Sequence, residues 1–143
     1  MYNITLISTA HSEIGKCNSG ELYKIIESLN PEVIFEELSF NLFEKFYMGN
    51  QFPNESLEVK CIKRYLQNHN IKHTPVDIDV SRDLSNSDIE YMFSTFKKYD
   101  VYKKLENEQN ILTAQGGFAF LNSNKCSELF EKKKDNRKKS YGI

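Results

Sequence analysis

The 143 residues carry a net charge of −1, with 39% apolar and 13% aromatic side chains: enough apolar material for a core, and no global charge to draw nucleic acid. A chain of this length buries about two-thirds of its unfolded surface and has the size of one domain. Three cysteines at irregular spacing, Cys17, Cys61 and Cys126, fit free thiols of a reducing cytoplasm rather than a disulfide framework, and no run approaches the roughly 20 apolar residues of a membrane span.

In chain order, Met1-Tyr2-Asn3 lacks the basic start of a signal peptide. Ile4, Leu6 and Ile7 then form a β-prone run that predicts a strand stopping at Ser8-Thr9-Ala10-His11. Asn18 followed by Glu21 is a capping-box pattern for a helix start. Leu22, Ile25, Ile26 and Leu29 fall at i, i+3, i+4 and i+7, one apolar helix face. Asn30-Pro31 ends that helix, because the residue before proline is pushed out of the α region. Val33-Ile34-Phe35 opens a second strand closing on Glu36-Glu37, and two strands joined by a helix predict a right-handed, parallel βαβ unit.

Phe40, Leu42, Phe43, Phe46 and Tyr47 predict a short aromatic helix ending at Gly49-Asn50, and Gln51 to Ser56 a loop. Leu57, Cys61, Ile62, Tyr65 and Leu66 mark another amphipathic helix ending near Asn68-His69-Asn70. Ile71 to Asp79 predicts a third strand whose end bears Asp77 and Asp79, with Arg82 just beyond. Ser87 with Glu90 forms a second capping-box pattern. The helix it starts carries Ile89, Met92, Phe93, Phe96 and Tyr99 as a core stripe. The chain bends around Gln115-Gly116-Gly117, which lacks the strand-to-helix context of a phosphate loop, and Phe118, Phe120 and Leu121 form a docking segment. Residues 124–137 predict a last helix. Residues 125–139 hold seven basic against three acidic side chains (+4), leaving 12 − 17 = −5 for the rest.

The expected fold class is therefore α/β: a small parallel sheet of about three strands in βαβαβ order with helices on both faces, followed by a helical C-terminal half. Residues 1–143 form one α/β domain, with 1–80 as the βαβαβ core and 85–138 mainly helical with a basic tail. Ligands of open parallel sheets bind at the carboxyl ends of the strands. The candidate site is accordingly His11, Glu37 and Asp77, with Glu13, Glu36 and Asp79 as further donors and Arg82 positioned for an anionic substrate. One imidazole and two or three carboxylates suit a divalent cation such as Mn²⁺ or Zn²⁺, which acidifies water for hydrolysis. Without metal, the same groups suit general acid–base work.

His69 and His73 stand four apart, but a helix end and a new strand separate them, so they do not read as a metal pair. Cys17 has only His11 to support it as a nucleophile, and Ser8 and Ser12 flank His11 without a nucleophile-elbow context.

The segments STAHSE and NPEVIFEEL, with the aromatic run after them, resemble the start of the TraB/PrgY family and its Tiki-type and ChaN/erythromycin-esterase-like relatives. His11 matches the histidine of that superfamily's G-x-x-H motif, Pro31 its helix-stop proline, and Glu37-Leu38 its Glu-Leu pair; Ser8 stands at the motif glycine. The likeness covers residues 4 to 80 and implies an α/β fold with an acidic strand end followed by an arginine, which places Asp77 and Arg82. Two functions follow as expectations: a metal-dependent hydrolase acting on a small-molecule or peptide substrate, or a non-catalytic small-ligand-binding or regulatory module that kept the pocket. The surplus aromatics of 40–47 and 91–102 predict a homodimer that hides them.

Overall fold

The computed structural model describes residues 3–49, 54–78 and 85–140, which carry six helices and one two-stranded parallel sheet. The first helix, α1 (Ser19–Leu29), starts where the sequence places it: the Asn18 carboxamide oxygen accepts the Glu21 N–H at 2.9 Å. It stops at Asn30, held in the left-handed region at φ 44°, where asparagine is tolerated ahead of Pro31. Strand β1 (Val33–Ser39) and helix α2 (Phe40–Tyr47) follow without a loop, Ser39 serving as last strand residue and N-cap. Helix α3 (Leu57–Leu66) is capped by Ser56, and strand β2 (Lys72–Asp77) lies parallel to β1.

The register pairs Val33 with Lys72, Ile34 with His73 and Glu36 with Pro75, then Ser39 with Asp77. Three steps along β1 thus match two along β2, a bulge at the strand end. These elements belong to a compact unit of Thr9–Glu13 and Cys17–Ser81. Its core is Cys17, Leu22 and Ile26 against Leu57, Val59, Cys61, Ile62 and Tyr65, so α1 packs on α3. Tyr23 meets Tyr65 edge-on at 5.8 Å and Arg64 lies over the Tyr23 ring at 4.5 Å.

The second unit comprises Met1–Ser8, Ile14–Lys16 and Arg82–Ile143. It holds α4 (Asn86–Phe96), α5 (Asp100–Leu121) and α6 (Asn124–Ser140). Phe120, Cys126 and Leu129 form its buried centre, with Leu105, Leu112 and Leu121 packed around them. The bend expected at Gln115-Gly117 is a kink inside α5 at Gly117, whose φ of 55° and ψ of −141° only glycine adopts readily. Gly15 lies so close to α5 that a Cβ there would sit 2.5 Å from the Ala114 carbonyl oxygen, the atom that accepts the Lys16 N–H at 2.9 Å.

One expectation is met in part and another is corrected. Among the described residues the sheet has two strands, not three. Residues 4–7 take part in no ladder, leaving Ile4 91% and Leu6 90% exposed; β-propensity favours a strand, but a strand also needs a neighbour. The capping box of α4 is Ser85 with Asp88, not Ser87 with Glu90: Asp88 N–H donates to the Ser85 hydroxyl and the Asp88 carboxylate accepts the Ser85 N–H. No helix among the described residues is long and apolar enough to cross a membrane.

Candidate functional site

The expected donors are dispersed. His11 is exposed, its Nδ1 lying 3.5 Å from Glu58 Oε1 in the first turn of α3, and its carbonyl accepts the Leu57 N–H at 3.1 Å. Thr9 donates its hydroxyl to the same Glu58 oxygen. Glu13 accepts both the N–H and the hydroxyl of Ser19, at 3.1 and 2.6 Å, and these bonds hold its carboxyl below the ordinary range. Glu37 is exposed on β1, and Asp77 is exposed at the end of β2, where its Oδ1 accepts the Ile78 N–H at 2.8 Å.

Glu37 and Asp77 therefore do leave the carboxyl ends of adjacent parallel strands, but no hydrogen bond or ion pair among the described residues joins either of them to His11. Asp79 and Arg82 lie outside the described residues. Among the described residues no three His, Cys, Asp or Glu side chains gather as a cation would need. The physical reason is local. His11 was expected to leave the end of a strand beside β1; without that strand, its backbone is tied to the start of α3 instead.

A different cluster does form, around Glu36. Pairing of Ile34 with His73 puts His73 on the same face of the sheet as Glu36, two residues along from Ile34. His73 Nε2 lies 2.8 Å from Glu36 Oε2; a carboxylate only accepts, so Nε2 carries the hydrogen. Helix α2 turns back over this face, and the Tyr47 hydroxyl donates to the same Oε2 at 2.7 Å. Phe43 and Tyr47 flank the imidazole, with ring centroids at 4.8 and 4.6 Å. The Glu36 and His73 side chains are only 5% and 6% exposed, so this is a buried, hydrogen-bonded pair rather than a surface contact.

The electrostatics follow from that burial. The Tyr47 phenol is pushed well up, first by burial and then by the Glu36 charge, and stays protonated as a donor. Cys61, on the neighbouring helix, is pushed up to about 12, mainly by burial, and is a packed thiol rather than a nucleophile. Glu36 Oε1 is buried with no hydrogen-bond partner, so the carboxylate is held by one oxygen alone.

Beside the network opens a cleft of about 520 Å³. Phe43, Phe46, Tyr47, Met48 and Leu66 supply apolar wall, and His73, Gln67 and Lys63 the polar positions. Lys63 is already paired with Glu55 and sits 5.7 Å from the Tyr47 ring centroid.

His73 is the residue that sequence reasoning set aside. Its separation from His69 holds: His69 stacks on Tyr65 at 3.9 Å and 4°, while His73 stands on β2. The usable signal was Glu36 itself. In a strand that alternates Ile34, Glu36 against Phe35, Glu37, one carboxylate faces inward and requires a partner. A scan of the chain against protein-family models, a search of curated proteins and a search of solved structures each give no match.

Proposed function

We propose that this chain is a small-ligand-binding module whose site is the cleft over His73, taking a flat, largely apolar or aromatic molecule with one hydrogen-bonding head. The observation that carries it is that His73 and Tyr47, both hydrogen-bonded to the buried Glu36, stand in the wall of an aromatic-lined cleft. Ligand sites combine such apolar walls with a few fixed polar groups, and here Glu36 and the two flanking rings hold the imidazole in one orientation. Saturation-transfer NMR with benzoate, benzamide, phenol and indole at millimolar concentration tests it. At least one probe binds, moves the His73 imidazole resonances, and loses its signal in Phe46→Ala. If none of the four binds the wild-type chain, the reading is wrong.

A second reading, a TraB/PrgY-like metal-dependent hydrolase, is supported by Glu37 and Asp77 at the ends of neighbouring parallel strands, the position at which open sheets bind ligands. In it Mn²⁺ or Zn²⁺ is held by Glu37, Asp77 and His11, and a third strand beside β1 completes the βαβαβ order. Metal content by mass spectrometry of the purified chain and of His11→Ala, with an ester and peptide hydrolysis screen, decides it. Absence of metal from both proteins, together with no turnover, ends this reading and leaves the cleft proposal standing.

A further inference from the structure

In the cleft over His73 the direction of each hydrogen bond is set before a ligand arrives. His73 Nε2 donates to Glu36 Oε2, and in a neutral imidazole the ring nitrogen without a hydrogen is an acceptor. That nitrogen, Nδ1, makes no hydrogen bond among the described residues. It is also not one of their buried atoms left without a partner, as Glu36 Oε1 is. Its lone pair therefore stays accessible, on a ring that lines the cleft. The Tyr47 hydroxyl has committed its hydrogen to the same Glu36 oxygen, so toward any other group it accepts. The two side chains held by Glu36 thus present acceptors to a ligand, not donors.

The surrounding charges point the same way. Lys63 on the cleft wall is ion-paired with Glu55. Among the described residues two carboxylates, Glu36 and Glu55, stand around this one ammonium, so the surroundings are negative and disfavour an anionic head. Gln67 carries both a donor and an acceptor and suits either kind of head. Phe43, Phe46, Met48 and Leu66 form the apolar wall that takes a ring. The Phe43 and Tyr47 rings, tilted 58° and 80° to the imidazole, fix its plane and with it the direction of the Nδ1 lone pair.

Resting on the cleft as the binding site, we infer that its ligand is a neutral aromatic hydrogen-bond donor, a phenol or an N–H heteroaromatic such as an indole, whose O–H or N–H donates to His73 Nδ1. Glu36 acts through the imidazole as a positioning residue. By accepting from Nε2 it keeps the hydrogen there and strengthens the acceptor across the ring, as a carboxylate does behind a histidine that ligates a metal. An imidazolium carries a second hydrogen, on Nδ1, and selects the opposite class, an aromatic carboxylate. Ligands of one shape and opposite hydrogen-bonding sense separate the two.

NMR titration of the full wild-type chain at about pH 8, above the ordinary titration of an imidazole, compares isosteric pairs. Indole is set against benzofuran and phenol against fluorobenzene, with benzoate as the anion. Each donor binds about tenfold more tightly than the partner that keeps the ring but lacks the hydrogen, and benzoate binds more weakly than phenol. Nitrogen-15 spectra of the imidazole place the hydrogen on Nε2 in the free chain and show the larger change at Nδ1 when indole binds. Equal binding within either pair, benzoate ahead of phenol, or a hydrogen on Nδ1 in the free chain overturns the inference while the cleft remains a binding site. If no probe binds, the cleft reading itself fails and the inference falls with it.

Discussion

Removing His73 tests the central network most directly. His73→Leu keeps the volume roughly constant but leaves the Glu36 carboxylate, 5% exposed, with the Tyr47 hydroxyl as its one remaining partner. Its other oxygen is already unpartnered, so no second donor stands ready to replace the imidazole. Breaking a buried pair from one side costs about 3–5 kcal/mol, against a total stability of roughly 5–15 kcal/mol for a domain. The same bond removed from both sides behaves differently. In Glu36→Leu/Tyr47→Phe/His73→Leu every partner becomes apolar, nothing polar is stranded, and the expected cost falls to about 0–1 kcal/mol. Tyr47→Phe alone lies between, at about 1.5–3 kcal/mol, the value of a hydrogen bond to a charged acceptor. Urea unfolding followed by tyrosine fluorescence, in a chain with eight tyrosines and no tryptophan, gives the energies. Hydrogen exchange of the β1 and β2 amides shows that the loss is local to this unit. If His73→Leu costs under about 1 kcal/mol, or the three substitutions add, the pair is not the buried, coupled network described here.

Three further outcomes are expected. The three thiols, all buried, react with a disulfide reagent only after unfolding; Cys61, raised from an ordinary 9.0 to about 12, keeps its proton in the fold while the unfolded chain loses it. Its stabilising contribution is therefore complete below pH 9.0 and lost as pH rises toward 12, so Cys61→Ala flattens the alkaline limb of the stability profile. Ser19→Ala removes the hydroxyl bond, the larger of the two that lower the Glu13 carboxyl, and keeps the backbone N–H, so NMR titration finds its midpoint moved part of the way up toward the ordinary 4.5. Gly117→Ala forces a side chain into φ 55°, ψ −141° and lowers the stability of the helical unit by about 1–3 kcal/mol, read by thermal unfolding.

What was legible in the sequence is what short-range chemistry decides. Asn18 caps α1 because its own side chain reaches the N–H three residues on, and Pro31 follows the helix end because a proline constrains the residue before it. The spans of α2, α3 and β2 follow from spacing and from turn residues in the same way. Where two local solutions compete, sequence alone misjudges: Ser85-Asp88 and Ser87-Glu90 both fit a capping box, and the first one forms. Ile4–Ile7 was legible as a β-prone run but not as a paired or unpaired one, since pairing depends on residues far away in sequence.

The candidate site was hidden for the same reason, and Glu36 and Glu37 show how. Adjacent in sequence and identical in chemistry, they point to opposite sides of β1, so one is 6% exposed and the other lies in solvent. A motif match favours Glu37, because it belongs to a recognisable Glu-Leu pair; burial selects Glu36, because only a carboxylate removed from water demands fixed donors. Those donors come from 11 and 37 residues away, Tyr47 by the turn of α2 and His73 by the register of a parallel pair. A one-residue slip in that register would carry His73 to the exposed face and leave the carboxylate bare. The pairing of Ile34 with His73 is thus the step that converts an ordinary glutamate and a dismissed histidine into a single network.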